Sequence, residues 1–252
     1  MKRIPTTQKT KPQTVPTTTT TTIKSLVGTL SMSGMTRDET EQAETTTRDV
    51  LASMRDKQTL SEAVSVLAEA STSNPTAIVT VLERVARSGA NGSLVKRIGR
   101  SAPNVIESLS KHISSTDPRV SCSAASLFIQ VVSSSGDRSR SCFASGGGIS
   151  RLSDALSLID FRRLVVVVVG GEEEEEEEIE IQTKSIINLL SLVESVSTIA
   201  TPELCSSLRK LFEQIQDPIS FSTKHPKITD SMIRASISIP TSGAMFRGGQ
   251  EV

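Results

Sequence analysis

Nothing in this sequence limits the choice of fold more than a helix-start signal that is repeated at near-constant spacing. A capping residue is followed by proline at Asn74-Pro75, Asp117-Pro118 and Thr201-Pro202. Proline suits the first position of a helix because no N–H donor is needed there. The first two caps lie 43 residues apart and the last two 84 residues apart, so a start is missing near Asp160-Phe161. The sequence therefore predicts helices that begin at 74, 117, 160 and 201.

Apolar residues that precede these caps provide a second register. At 11, 8 and 4 residues before each cap, eleven of the twelve positions are apolar, and this is the i, i+3, i+7 spacing that one helix face shows. The positions are Ala63, Val66, Ala70, Ile106, Leu109, Ile113, Ile149, Leu152, Leu156, Leu190, Val193 and the exception Ser197. Thr59 with Glu62 forms a capping box that predicts the start of the first helix. The pattern predicts an all-α fold in which a unit of two or three helices recurs.

Two stretches resemble the armadillo-repeat family, whose period of about 40 to 47 residues matches this spacing. Ala144 to Leu152, with Leu156 after it, resembles the turn of a short first helix through glycine into the second helix. Asp117 to Val120, with Ala124-Ala125 after it, resembles the start of a third helix. The resemblance covers residues 59–217 and is clearest over 101–157. It implies a right-handed superhelical solenoid of about four repeats, whose concave groove binds partner chains.

The resemblance also suggests which residues contact a partner. Armadillo proteins that bind peptides carry Trp and Asn at two positions of each third helix. The corresponding pairs here are Glu83 and Arg87, Ser126 and Gln130, Val169 and Glu173, and Lys210 and Gln214. None is Trp or Asn, so recognition of nuclear-localisation signals is not expected. Gln130 and Gln214 supply amides that can pair with an extended backbone, whereas Glu83 with Arg87 also fits a plain surface ion pair.

The repeat pattern is broken over residues 164–178. Five valines, two glycines and seven glutamates follow one another there, and branched valines before glycines make a poor helix. Three interpretations stay open: a low-complexity expansion that damages one repeat, an acidic patch for a basic partner, and a calcium site. The candidate patch consists of Glu172, Glu173, Glu174, Glu175, Glu176, Glu177 and Glu178.

The ends of the chain differ from its centre. Residues 1–37 contain no acidic residue and are rich in Thr, Pro and Lys, so they predict a disordered tail, with an organelle transit peptide as the alternative. Residues 38–58 fit a capping helix, 59–217 the solenoid, and 218–252 a C-terminal tail. No apolar stretch follows Met1 as a secretory signal requires, and we expect an intracellular protein, cytoplasmic or nuclear.

Composition disfavours several classes of function. Basic and acidic residues both number 28, and there is no Trp or Tyr, so neither nucleic acid nor a membrane surface is the expected partner. The sequence shows neither the pattern of a metal cluster nor that of a disulfide framework, since its only candidates are two histidines and the cysteines Cys122, Cys142 and Cys205. Cys122 and Cys205 fit buried positions of the repeat. No catalytic residue, cofactor or metal is predicted, and we do not expect an enzyme.

The function that follows is a scaffold or adaptor that holds a segment of another protein in a helical groove. Three alternatives stay open at this point. The chain is a subunit of a larger permanent assembly, a regulator of an enzyme, or a decayed repeat fragment without specific function. A large exposed apolar area would favour the assembly subunit, and a failure to fold cooperatively would favour the decayed fragment.

Overall fold

The computed structural model describes residues 21, 24–25, 28, 37–54, 56–88, 92–134, 136–161, 164 and 173–239. The described part of the chain contains helices and turns and no strand, which confirms the all-α prediction. Its α-helices are α1 (Arg37–Ser53), α2 (Lys57–Ala70), α3 (Pro75–Arg87), α4 (Gly92–Ile98), α5 (Pro103–Ser110), α6 (Pro118–Ser134), α7 (Asp137–Ser145), α8 (Gly148–Leu158), α9 (Glu173–Ser195), α10 (Pro202–Glu213), α11 (Pro218–Lys224) and α12 (Pro226–Ser238). Short 3₁₀ turns follow α5 (Lys111–Ser114) and α9 (Ser197–Ile199).

The helices pack in two rows. In the first row, α1 packs against α3, α3 against α6, α6 against α9, and α9 against α12. In the second row, α2 packs against α5, α5 and its 3₁₀ turn against α8, and α8 against α10. The short helices α4 and α7 both contact α6 and also contact the second row. Buried aliphatic side chains of both rows form one hydrophobic cluster, so the two rows share a single core.

The three cap–proline pairs begin helices where the sequence predicts them. Asn74 Oδ1 accepts a hydrogen bond from Ala77 N at 3.3 Å, and Thr201 Oγ1 accepts one from Leu204 N at 3.4 Å. Asp117 Oδ1 accepts one from Arg119 N at 2.8 Å. Each side chain satisfies an N–H group that the first turn of a helix leaves without a partner. The starts of α3, α6 and α10 are thereby confirmed.

The predicted start of the first repeat helix lies too late in the chain. Asp56, not Thr59, is the capping residue of α2, and its Oδ2 accepts hydrogen bonds from Thr59 N at 2.7 Å and from Thr59 Oγ1 at 2.8 Å. These bonds hold the pKa of Asp56 below its ordinary value. The hydroxyl of Thr59 is a donor to the true cap, so the Thr59–Glu62 pair is not a capping box here.

After α8, the helices no longer take the places in the packing that the repeat register predicts, although α10 begins at its predicted start. Phe161 and Leu164 are helical and buried, but residues 165–172 lie outside the described part of the chain. The helix that packs next to α6 is α9, which begins at Glu173. Since α10 packs on α8 in the second row, the prediction of a third-helix position for residues 201–217 is wrong. The starts of the first-row helices lie 43 residues apart from α3 to α6 and 55 residues apart from α6 to α9. The helix that follows α6 in this row is therefore α9, although α10 begins where the 43-residue spacing predicts a start.

The prediction of a C-terminal tail from residue 218 is also wrong for the residues that the structure describes. Asp217 Oδ1 accepts hydrogen bonds from Ile219 N and Ser220 N, both at 3.1 Å, and begins α11. Helix α12 packs against α9 and buries Ile228, Met232 and Ala235. Their i, i+4, i+7 spacing is that of a helix face, although only three residues carry it. The predicted tail 1–37 lies almost wholly outside the described residues, and α1 occupies most of 38–58.

A glycine cluster joins α7 to α8. Gly147 has φ of +75°, a conformation that favours glycine. A Cβ on Gly146 would lie 2.5 Å from Ile106 Cγ2, and a Cβ on Gly148 would overlap the ring of Phe143. That ring is fully buried and packs on Phe128, with ring centroids 4.9 Å apart. The cluster is therefore a helix junction, as the sequence predicts.

Candidate partner-binding face

The candidate face lies where α3, α6 and α9 pack side by side in the first row. On α6, the side chains of Arg119, Cys122, Ser126 and Gln130 follow one another three or four residues apart, so they share one side of the helix. Neighbouring helices on both sides contribute polar groups to it. We call this surface the α3–α6–α9 face.

Three side chains join α3 to α6 at this face. Ser126 Oγ donates a hydrogen bond to Glu83 Oε1 at 2.7 Å, and Arg87 forms an ion pair with the same carboxylate. Arg87 Nη2 also donates to Ser126 Oγ at 3.3 Å. The side chain of Glu83 is 7% exposed, whereas that of Arg87 is 57% exposed. Glu83 is thus a buried carboxylate with two partners, and Arg87 is the member of the predicted pair that presents its charge to solvent.

A second polar contact joins α6 to α9. Asn188 Nδ2 lies 3.2 Å from both the carbonyl oxygen and the Sγ of Cys122. Burial raises the pKa of the Cys122 thiol, with Lys184 acting in the opposite direction. A thiol with a raised pKa stays protonated at neutral pH and is a poor nucleophile. Cys122 is therefore a protonated packing residue whose carbonyl oxygen accepts a hydrogen bond from Asn188.

The acidic end of the face is the first part of α9. Arg119 Nη2 lies 3.3 Å from Glu177 Oε1, in a pair whose side chains are 63% and 68% exposed. Glu176, Glu177 and Glu178 are exposed on a helix. Such an exposed pair contributes at most about 1 kcal/mol to stability. Glu172 and the side chains of Glu173, Glu174 and Glu175 lie outside the described residues.

The structure brings together only some of the residues that the sequence proposes. Glu83, Arg87, Ser126 and Gln130 lie on α3 and α6, with Gln130 exposed. Lys210 and Gln214 lie at the exposed end of α10 in the second row, where Gln214 Nε2 donates to the carbonyl oxygen of Ile159 at 3.1 Å. Val169 is outside the described residues. The pair of Lys210 and Gln214 thus belongs to a surface other than the α3–α6–α9 face.

Sequence reasoning missed Lys184 and Asn188. Both lie on α9, four residues apart and on the same side of the helix, but the expected register assigned the third helix to residues that precede them. One signal was present: apolar Ile186, Leu189, Leu190 and Val193 run along the opposite side of the same segment. That pattern marks an amphipathic helix whose polar side carries this lysine and asparagine.

A cavity, a histidine contact and three thiols lie outside the α3–α6–α9 face. A cavity of about 350 Å³ between α6, α8 and α9 is lined mainly by apolar residues, with Asp160 its one ionisable lining residue. His112 Nε2 lies 3.0 Å from Ser71 Oγ, and burial lowers the pKa of this histidine. Over the described ranges, no group of three His, Cys, Asp or Glu residues is placed to hold a metal ion, and the three cysteines are free thiols. None of the helices in those ranges is both long enough and apolar enough to cross a membrane.

Comparison with known proteins identifies no family. No protein-family model matches the chain, and no curated protein matches it. The crystal structure of one engineered protein shares 14% identity, covering 86% of this chain and 98% of that one with a TM-score of 0.35. A second engineered protein shares 16% identity over 86% of this chain and 90% of its own, with a TM-score of 0.25. Both scores are under 0.5, so neither likeness bears on fold or function.

Proposed function

We propose that this protein is an adaptor built as an armadillo-like solenoid, which holds a segment of another protein on the α3–α6–α9 face. The observation that carries the proposal is the packing of α1, α3, α6, α9 and α12 in chain order, with a second row beside them. Stacked rows of this kind create an extended surface that repeat proteins use for binding.

The groups of the face fit an extended peptide segment. Asn188 and Gln130 carry amides, which both donate to and accept from a partner backbone. Arg87 and Lys184 present positive charge, and Glu176, Glu177 and Glu178 present negative charge at the start of α9. The matching partner segment has acidic residues opposite the two cations and basic residues opposite the glutamates.

Affinity capture with matched variants tests this proposal. The face variant carries Lys184→Glu and Gln130→Ala, and both replaced side chains are exposed. The control variant carries Lys210→Glu and Gln216→Ala, which make the same changes at exposed positions on or beside α10. Glu83 is left unchanged because it is buried and paired, so its replacement would affect folding.

We expect wild type and the control variant to capture a partner protein that the face variant does not capture. The face variant must keep the helical circular dichroism and urea midpoint of wild type. Capture of the same proteins by all three forms, or equal loss by both variants, would show that the α3–α6–α9 face is not the binding surface.

A second candidate function, a subunit of a larger assembly, rests on the exposed apolar residues of the last two described helices. Ile219 is 82% exposed, Ile237 79% and Ile233 49%, and the last two lie one turn apart on α12. Sedimentation of purified protein tests it. If wild type associates as its concentration rises and the double variant Ile233→Ser with Ile237→Ser does not, the result would support the assembly subunit. If wild type stays a monomer at all concentrations, the adaptor is the remaining candidate function.

A further inference from the structure

A cluster of four cationic side chains surrounds a small cavity between α2 and α4, away from the α3–α6–α9 face. Its cationic lining residues are Lys57, Lys96, Arg97 and Arg100, and its volume is about 120 Å³. Leu60, which is buried, contributes the apolar part of the lining. We call this cavity the α2–α4 pocket.

The charges of the pocket are not compensated within the described chain. None of the four cations forms an ion pair there, although ion pairs occur on other helices. The neighbouring carboxylate, Asp56, accepts hydrogen bonds from the N–H and hydroxyl groups of Thr59. Four like charges around one cavity repel each other unless an anion lies among them. The pocket is therefore a place where an anion gains several favourable interactions at once.

One of the four side chains is held in place before any ligand binds. Arg97 Nε and Nη2 donate to the carbonyl oxygen of Lys57 at 3.2 and 2.6 Å. A guanidinium has five N–H donors in a fixed plane, so three remain for a ligand after these two contacts. A guanidinium whose orientation is already fixed loses less entropy when it binds an oxyanion. Its paired N–H groups also match the spacing of the oxygens of a phosphate.

The size of the pocket favours a compact anion over a run of carboxylates. Four cations on two adjacent helix ends converge on a single cavity, whereas glutamates along a peptide are spread over several ångströms of chain. A phosphoryl group carries close to two negative charges and three acceptor oxygens at one point. We propose that the α2–α4 pocket binds a phosphoryl group, carried either by a phosphorylated protein segment or by a small phosphate compound.

Calorimetric titration of the full chain at low ionic strength tests the proposal with three probes. They are inorganic phosphate, a phosphoserine peptide, and the same peptide with glutamate in place of phosphoserine. The pocket variant carries Lys96→Gln and Arg100→Gln, both at exposed positions. The control variant carries Lys111→Gln and Arg138→Gln, which remove the same charge from exposed positions outside the pocket.

The expected result is binding of at least one phosphate probe that the pocket variant weakens by roughly tenfold or more, while the control variant stays within about twofold of wild type. Tighter binding of the phosphopeptide than of inorganic phosphate assigns the site to protein segments, and equal binding assigns it to small phosphates. Equal affinity for the glutamate peptide, equal loss in both variants, or no binding of either phosphate probe would overturn the proposal. The pocket lies outside the α3–α6–α9 face, so its failure leaves the adaptor proposal intact.

Discussion

Single residues decide what the α3–α6–α9 face can do, because polar side chains there hold the helices together as well as facing solvent. The carboxylate of Glu83 is buried and depends on Ser126 and Arg87 for its hydrogen bonds. The repeat register selects Glu83 as a candidate residue, but it cannot show that the neighbouring helix brings Ser126 to the carboxylate of Glu83. Cys122 was expected in the core and is half-buried, with Asn188 as its partner. Tertiary contacts of this kind join residues more than 40 positions apart.

Ser126→Ala removes one partner of the buried Glu83 carboxylate and leaves Arg87 as the other. Because a buried charged group that loses a hydrogen bond carries a desolvation cost, we expect the free energy of unfolding to fall by about 1 to 3 kcal/mol. Urea unfolding followed by circular dichroism measures it. Gln130→Ala, at an exposed position of the same helix, is the control and should change stability by less than about 0.5 kcal/mol. Equal effects of the two substitutions would contradict the buried contact.

The scale of the element shows which signals in the sequence are reliable. Caps followed by proline are local, and all three begin helices as predicted. The register between repeats is not local, and it did not predict that α9 packs beside α6 while α10 packs on α8. The last helices escaped prediction because the three buried apolar residues of α12 are too few to indicate a helical period in a polar segment. Asp217-Pro218 has the same cap–proline form as the other three pairs and was the signal that could have found them.

The helix junction at Gly148 makes a prediction at this scale. Gly148→Ala places a methyl group against the buried ring of Phe143, and such overpacking costs about 1 to 3 kcal/mol. Gly92→Ala is the matched control, since no atom lies within 4 Å of its added Cβ and alanine favours a helix more than glycine does. Thermal unfolding should show a lower midpoint for the first variant and an unchanged or higher one for the second. A stable Gly148→Ala protein would show that α7 and α8 do not pack this closely.

The packing of α12 on α9 leads to a further prediction about the stability of the protein. Met232 is 1% exposed and Ile233, its neighbour, is 49% exposed. We expect Met232→Ala to lower the free energy of unfolding by about 2 to 5 kcal/mol, because it leaves a cavity in the core. Ile233→Ala should cost clearly less. Chemical denaturation compares the two, and indistinguishable effects would mean that α12 does not dock on α9 through this side.

At the scale of the whole molecule, the two rows of helices give a neutral chain a segregated pattern of charge. Glutamates are concentrated at the start of α9, while uncompensated cations surround the α2–α4 pocket. The overall balance of 28 basic and 28 acidic residues hides this pattern. The two proposals assign separate surfaces to separate ligands, an extended peptide on the first row and a phosphoryl group between α2 and α4. Association with either surface should weaken as salt screens the charges.

Site-specific photocrosslinking tests the adaptor role most directly. A photoreactive amino acid replaces Gln130 on the α3–α6–α9 face in one form of the protein and Lys210 on α10 in another, and both forms are irradiated in native lysate. The account predicts a defined crosslinked product from position 130 that is absent at position 210, and whose crosslinked peptide contains both acidic and basic residues. The same products at both positions, or none at position 130, would contradict a partner-binding role for this face.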